Sequence, residues 1–224
     1  MIVMHDVTKV HSQGETEVRA LRGVSCKIEA GSFTFVVGPS GSGKSTLLYM
    51  IGALDEPTAG TIHFEGRNLA GFSHAQRDAF RQSDVGFVFQ SFNLLGNLDA
   101  IDNVLVPFMP RGLSADMRRQ AADLLSSVGL GHRLGHRPNQ LSGGEQQRVA
   151  IARALFKQPR MVLADEPTGE LDGETGREVF AHLRNLHAER KTTVVVVTHD
   201  HRHITTGDRV LELEDGKVVH TGHG

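Results

Sequence analysis

The chain has 224 residues, of which 39% are hydrophobic and 22% charged, with a formal net charge of −2. This length suits one substantial domain or a core with a subdomain, and the composition is that of an ordinary soluble globular protein. The slight acidity counts against a nucleic-acid binder, which carries a basic excess, and the single cysteine, Cys26, cannot close an internal disulfide.

Residues 1–30 alternate loosely and hold short β-like runs, including 24–28. Residues 1–10 lack the apolar stretch of a signal peptide, so none is expected. Phe33–Val37 is a compact apolar run that ends at Gly38, and a helix is predicted over Lys44–Ile51. Residues 61–65 and 85–90 read as short strands. From about residue 92 the character changes: Pro107 and Pro110 break the chain, and Met117, Ala121, Leu124, Leu125 and Val128 give 115–128 a helical period. Residues 161–164 and 193–198 suit central parallel strands buried on both faces, and Val179, Phe180, Leu183 and Leu186 form the apolar stripe of a helix between them. Asp215-Gly216 between 209–213 and 217–220 is a type I′ hairpin signal. Strands alternating with helices make the fold α/β. The longest apolar runs, 33–37 and 194–197, fall far short of the ~20 residues that cross a bilayer, so a membrane role would run through a partner.

Gly38, Pro39, Ser40, Gly41, Ser42, Gly43, Lys44 and Ser45 fit G-x-x-x-x-G-K-[ST] at every fixed position, and Thr46 follows. Glycines let backbone N–H groups curl around phosphate oxygens, and the following helix start adds its positive dipole end. Lys44 would bridge the β- and γ-phosphates, and the Ser45 hydroxyl would ligate Mg²⁺. The strand before and the helix after weigh against a chance turn. Asp165 and Glu166 end another apolar strand, where the ligand crevice of an open α/β sheet lies. Asp165 would hold Mg²⁺, and Glu166 would polarise the attacking water; for Asp-Glu without the phosphate loop, a solvated acidic turn would be the simpler account.

Residues 141–147 read Leu-Ser-Gly-Gly-Glu-Gln-Gln. Ser142 and Glu145 form an S-x-x-E capping box, predicting a helix to about Lys157. That suffices structurally, yet Ser142, Gly143 and Gly144 would also leave a helix start open to an anion, and composition does not choose between the two.

Together these segments resemble the ATP-binding cassette (ABC) ATPases over nearly the whole chain. Residues 38–46 match Walker A, Gln90 the Q-loop, 141–147 the signature, 161–167 Walker B, 169–172 the D-loop and His199 the switch histidine. The resemblance implies a P-loop NTPase core with a mostly parallel sheet, an N-terminal antiparallel β subdomain and an inserted α-helical subdomain. The whole of 1–224 would be one ABC ATPase domain, with 1–91 and 158–224 as core and 92–157 as the helical part. It implies ATP and Mg²⁺ as cofactors and two copies paired head to tail, each ATP lying between one copy's Walker A and the other's signature. Ser142, Gly143 and Gly144 would then bind nucleotide in trans. Ser45, Gln90 and Asp165 would serve the metal, and Glu166, His199 and Gln90 would serve catalysis. A membrane permease would dock near residues 92–95, placing the chain on the cytoplasmic face of the inner membrane. Asp55, Glu56, Pro57, Thr58 and Gly60, with residues 92–95 and Asn103-Val104, resemble the lipoprotein-release and macrolide-export group, whose relatives include a cell-division cassette that signals without transport.

Two positions depart from the family pattern. The family stacks adenine on an N-terminal aromatic residue; the only tyrosine, Tyr49, sits in the Walker A helix where it cannot do so, and His11 falls nearest the expected place. Glu170 puts an acid in the D-loop where small or neutral residues are common. A metal site at His199, His201 and His203 is disfavoured, because i, i+2 spacing does not share a helix face. DNA-organising ATPases with this signature carry long coiled coils, for which residues 47–140 leave no room, and a GTPase would need an N-K-x-D motif. Phe92, Leu94 and Leu95 would either pack the helical part or dock the partner.

Overall fold

The computed structural model describes every residue except Glu15, and no side-chain detail for Gln13, Thr16 or Leu186. The Leu186 position of the expected stripe therefore lies outside the described side chains. In chain order the elements are β1 (Ile2–Gln13), β2 (Thr16–Ile28), β3 (Phe33–Val37), α1 (Lys44–Ile51), β4 (Ala59–Phe64), β5 (Arg67–Asn68), α2 (His74–Ser83), β6 (Val85–Val88), α3 (Ala100–Leu105), α4 (Ala115–Ser127), α5 (Gly143–Leu155), β7 (Met161–Asp165), α6 (Gly173–Arg190), β8 (Thr193–Val197), β9 (Arg209–Glu214) and β10 (Lys217–His223).

The strands form two sheets. One is antiparallel, in the order β2-β1-β4-β5; the other runs β10-β9-β3-β8-β7-β6 and is parallel apart from β10. Strands β3, β7 and β8 are buried at every position, as their largely apolar runs require when both faces are covered. Strands β1 and β2 are much longer than the short runs read from sequence. Their ladder carries register shifts around Asp6, whose φ is 48°, and each shift moves side chains to the other face, which blurs the alternation.

Three apolar clusters hold the layers together. Ile2, Val24, Leu47, Ile51, Phe80 and Leu163 join the antiparallel sheet and α1 to one face of the main sheet. Phe35, Val37, Ile151, Val179, Phe180 and Leu183 seat α5 and α6 on the other. A separate cluster of Val104, Leu105, Ala121, Leu125, Leu141 and Val149 joins α3, α4 and α5. Helix α5 contributes to both of the last two, so it links the main sheet to the helical layer. Asp215 (φ 47°) and Gly216 (φ 74°) form the expected tight turn between β9 and β10. Helix α2 was not expected, although Ser73 and Gln76 form a complete capping box at its start. Among the described residues no helix is long and apolar enough to cross a membrane.

Candidate nucleotide site

The phosphate loop joins buried β3 to α1, at the carboxyl end of the central parallel strands. Two of its glycines are fixed by close backbone approach. A Cβ on Gly38 (φ 145°) would lie 2.0 Å from the Leu213 carbonyl oxygen of β9, and one on Gly43 (φ 99°) 2.4 Å from that of Ala20 in β2. A third clamp comes from the β9–β10 turn: Gly216 N–H donates to the Ser42 carbonyl at 3.1 Å, while its own carbonyl accepts from Arg22 N–H at 2.8 Å. Lys44 Nζ donates to the Gly38 and Pro39 carbonyls at 2.9 and 2.8 Å, which keeps the partly buried ammonium satisfied. Burial lowers its pKa, and Glu166 and Asp165 oppose that shift.

Beside the loop is an open cleft of about 700 Å³. Ser40, Gly41 and residues 43–46 form its floor, β2 residues 17–20 and Arg22 one wall with Asp215 and Gly216, and Gln90, Glu166 and His199 the other. His11 is not among the lining residues. It pairs with Val18 across the β1–β2 ladder, and it is Val18, 48% exposed, that faces the cleft.

At the end of β7, Asp165 accepts two hydroxyl hydrogen bonds from α1: Ser45 Oγ to Oδ1 and Tyr49 OH to Oδ2, both 2.8 Å. Ser45 and Tyr49 are one helical turn apart, so their hydroxyls rise from the same face. Burial first, then the Asp165 carboxylate, pushes the Tyr49 phenol up to about 12. Sequence reasoning excluded Tyr49 from adenine stacking and gave it no other task; its i, i+4 spacing from Ser45 was the available signal. Glu166 follows with φ 45°, a left-handed conformation that costs a non-glycine residue ~1–3 kcal/mol. Its N–H donates to the Val197 carbonyl at 2.9 Å, which turns the side chain into the cleft. Glu166 Oε1 meets His199 Nδ1 at 2.9 Å, and Oε2 accepts from Thr198 Oγ1 at 3.1 Å. Thr198 is a contact the sequence did not suggest.

The oxygen set suits Mg²⁺. Ser45 and Asp165 offer one hydroxyl and one carboxylate, and among the described residues no group of three or more acidic, histidine or cysteine side chains could hold a metal alone. A hard cation that keeps its waters and leans on phosphates asks for no more protein ligands than this. Gln90 is exposed and lines the same cleft, packed so that a Cβ on Gly169 would be 2.9 Å from its amide nitrogen. Next to it, Ser91 Oγ lies 3.5 Å from Glu170 Oε1, which ties the D-loop acid loosely to the Q-loop. His203 stacks on Phe180 at 4.0 Å and its Nε2 is 3.5 Å from Asp200, a packing role and not a ligand's.

The glycine run at 141–147 is placed elsewhere. Ser142 caps α5 with both capping-box bonds, Glu145 N–H to Ser142 Oγ (3.3 Å) and Ser142 N–H to Glu145 Oε2 (2.8 Å). Burial would raise the Glu145 pKa, but the Ser142 N–H and Arg133 hold it below its ordinary value. Gly144 is packed so closely that a Cβ would lie 2.1 Å from Thr175 Cγ2. Ser142, Gly143 and Gly144 do not line the cleft of their own chain. Two further residues of α5 were not anticipated. Gln147 is fully buried and donates to the Pro167 carbonyl at 2.6 Å and the Phe89 carbonyl at 3.4 Å, touching the segments that carry Glu166 and Gln90. Arg153 donates to the Phe92 and Asn93 carbonyls at 2.7 and 2.5 Å and so holds two consecutive left-handed residues (φ 54° and 50°). Leu94 packs into the helical cluster and Phe92 is half-buried, whereas Leu95 remains 47% exposed.

Comparison with known proteins agrees with this geometry. The ABC transporter family model matches residues 21–169. An uncharacterized ABC transporter ATP-binding protein of Thermotoga maritima is 49% identical over 95% of this chain and 91% of its own. The lipoprotein-releasing system ATP-binding protein LolD of Geobacter metallireducens is 44% identical, covering 98% of both chains. The macrolide export ATP-binding/permease protein MacB of Hyphomonas neptunium is 46% identical over 98% of this chain, which spans only 34% of that relative. The solved ATP-binding cassette MJ0796, a dimer in a post-hydrolysis state bound to ADP and Pi, superposes with a TM-score of 0.90 at 41% identity, covering 100% of this chain and 98% of that one. With its phosphate loop, acid pair and capped signature helix in one α/β chain, the protein belongs to the ABC transporter family, as an ATP-binding cassette with ATPase activity.

Proposed function

We propose that two copies of the chain close head to tail around two Mg²⁺-ATP and drive a separate membrane permease of the lipoprotein-release or export type. The observation that carries this reading is the position of residues 142–144: a capped helix start that is absent from the lining of its own chain's cleft. Its anion would be the ATP held by the other copy's Lys44. The dimeric structure of MJ0796 and the near end-to-end match to LolD support the pairing and the separate partner.

Lys44 would exchange the Gly38 and Pro39 carbonyls for phosphate oxygens, so nucleotide binding costs little side-chain reorganisation. Ser45 and Asp165 would hold Mg²⁺, which when bound neutralises phosphate charge. Glu166, fixed by Thr198 and His199, would accept the proton of the attacking water, and His199 would stand at the γ-phosphate end of the cleft. The helical part, 92–157, would shift against the core of 1–91 and 158–224 about α5, which packs on both, carrying the exposed Leu95 region to the permease on the cytoplasmic face of the membrane. Val18 lines the cleft and His11 does not, so the base would meet the β2 wall that carries Val18 and Ala20.

The test is Glu166→Gln. We expect ATPase activity to fall ~100-fold or more while ATP produces a stable dimer by size exclusion. Near-normal turnover in that variant would sink the catalytic assignment.

A further inference from the structure

The geometry points to Tyr49 as a positioning residue for the nucleotide's metal, acting through Asp165. The inference deepens the function proposed above and rests on it. A carboxylate at the end of a strand can rotate about its last side-chain bond, so one hydrogen bond leaves its plane free. Here both oxygens are engaged from one helix face: Ser45 takes Oδ1, and Tyr49, one turn further, takes Oδ2, each at 2.8 Å. The pair fixes the plane and orients Oδ1 to the side of Ser45, where a cation would share both oxygens. Asp165 is only 8% exposed and Tyr49 is partly buried against the main apolar cluster, so the phenol is already ordered when it donates. A charge-assisted bond from an ordered donor is strong, and it needs no change when nucleotide arrives.

The ring and the hydroxyl do separate things. The ring packs against the cluster that includes Leu48 and Ile51, and the hydroxyl alone reaches Asp165. Tyr49→Phe therefore removes the bond and keeps the packing. The protein also supplies its own probe, because it contains one tyrosine and no tryptophan, so ultraviolet emission reports Tyr49 alone.

The experiment titrates Mg²⁺ against binding of a fluorescent ATP analogue to the full chain, without turnover. The bond persists with and without metal, so what Tyr49→Phe removes for the metal is its orienting effect. The Mg²⁺ concentration at half-maximal binding should rise roughly two- to tenfold, with metal-free nucleotide binding unchanged and a modest fall in melting temperature from the lost bond. In the unmodified tyrosine protein, a carboxylate acceptor quenches phenol emission, so Asp165→Asn should brighten it and change its response to Mg²⁺. A Mg²⁺ dependence unchanged in Tyr49→Phe would overturn the assignment, as would emission indifferent to Asp165→Asn. Should Tyr49→Phe melt early, the emission measurement still decides. A parent protein that binds Mg²⁺-ATP with the expected dependence but never hydrolyses it would sink the proposed function while still supporting the role of Tyr49.

Discussion

Gly144→Ala separates packing from ligand binding in the signature run. The added Cβ would stand 2.1 Å from Thr175 Cγ2, well inside any contact a methyl tolerates. Thr175 cannot simply turn away. Its Oγ1 donates to Asp172 Oδ2 at 2.7 Å and its N–H to Oδ1 at 3.0 Å, which locks the rotamer at the start of α6. The helices must therefore part slightly or the hydroxyl bond must break, and overpacking of this kind costs ~1–3 kcal/mol. For a chain of this size that lowers the melting temperature by roughly 2–12 °C. Differential scanning calorimetry measures it. A second variant, Gly144→Ala with Thr175→Ser, keeps the hydroxyl and removes the clashing methyl, so it should recover most of the lost stability. If residues 142–144 also bind the partner's ATP, the double variant should still show depressed ATPase and a weakened rise of activity with protein concentration. An unchanged melting point in the single variant would refute the packing account; full, concentration-dependent ATPase in the stable double variant would refute the ligand account.

Asn103 is fully buried: its amide donates to the Leu95, Leu98 and Asp99 carbonyls and its oxygen accepts from Leu95 N–H, so Asn103→Ala should cost about 3 kcal/mol in urea unfolding and open 92–98 to limited proteolysis. If cutting stays as slow as in the parent, the loop is held by something other than Asn103. The Arg202 side chain, first among its partners, holds the Asp200 carboxyl at about 2, below its ordinary 3.8. A depressed folded-state pKa stabilises above the unfolded value and is lost as pH falls, so Asp200→Asn should narrow the stability gap to the parent between pH 3.8 and 2. Parallel stability curves across that window would contradict the pairing.

The sequence was most readable where one physical demand acts alone. Phe33–Val37, Met161–Asp165 and Thr193–Val197 are apolar apart from Thr34, Asp165 and Thr193 because both faces are covered, and they were legible as central strands. The phosphate loop, the acid pair and the Ser142 capping box were equally plain, since each rests on residues close in sequence. What stayed hidden depends on contacts across the chain. Tyr49 gains its meaning from a carboxylate 116 positions away, and Gln147 from carbonyls 58 and 20 positions away. Gly144 read as an open anion site, yet Thr175 also demands that glycine. Strands β1 and β2 were underestimated because bulges defeat a strict period of two. His11 was placed by its distance along the chain; it pairs with Val18, and Val18 is the one of the two that lines the cleft.

Strand β3, which delivers the phosphate loop, has both of its neighbours, β8 and β9, drawn from residues 193–214. During synthesis the loop's sequence is made early and finds β2 already present, but β3 has neither of its sheet neighbours until those strands arrive. Capacity to hold ATP should therefore switch on late and all at once, as a report that the domain is complete. Once present, nucleotide at a hundredfold excess over its Kd would add about 2.7 kcal/mol to folding, fastening the earliest-made part of the sheet to the latest.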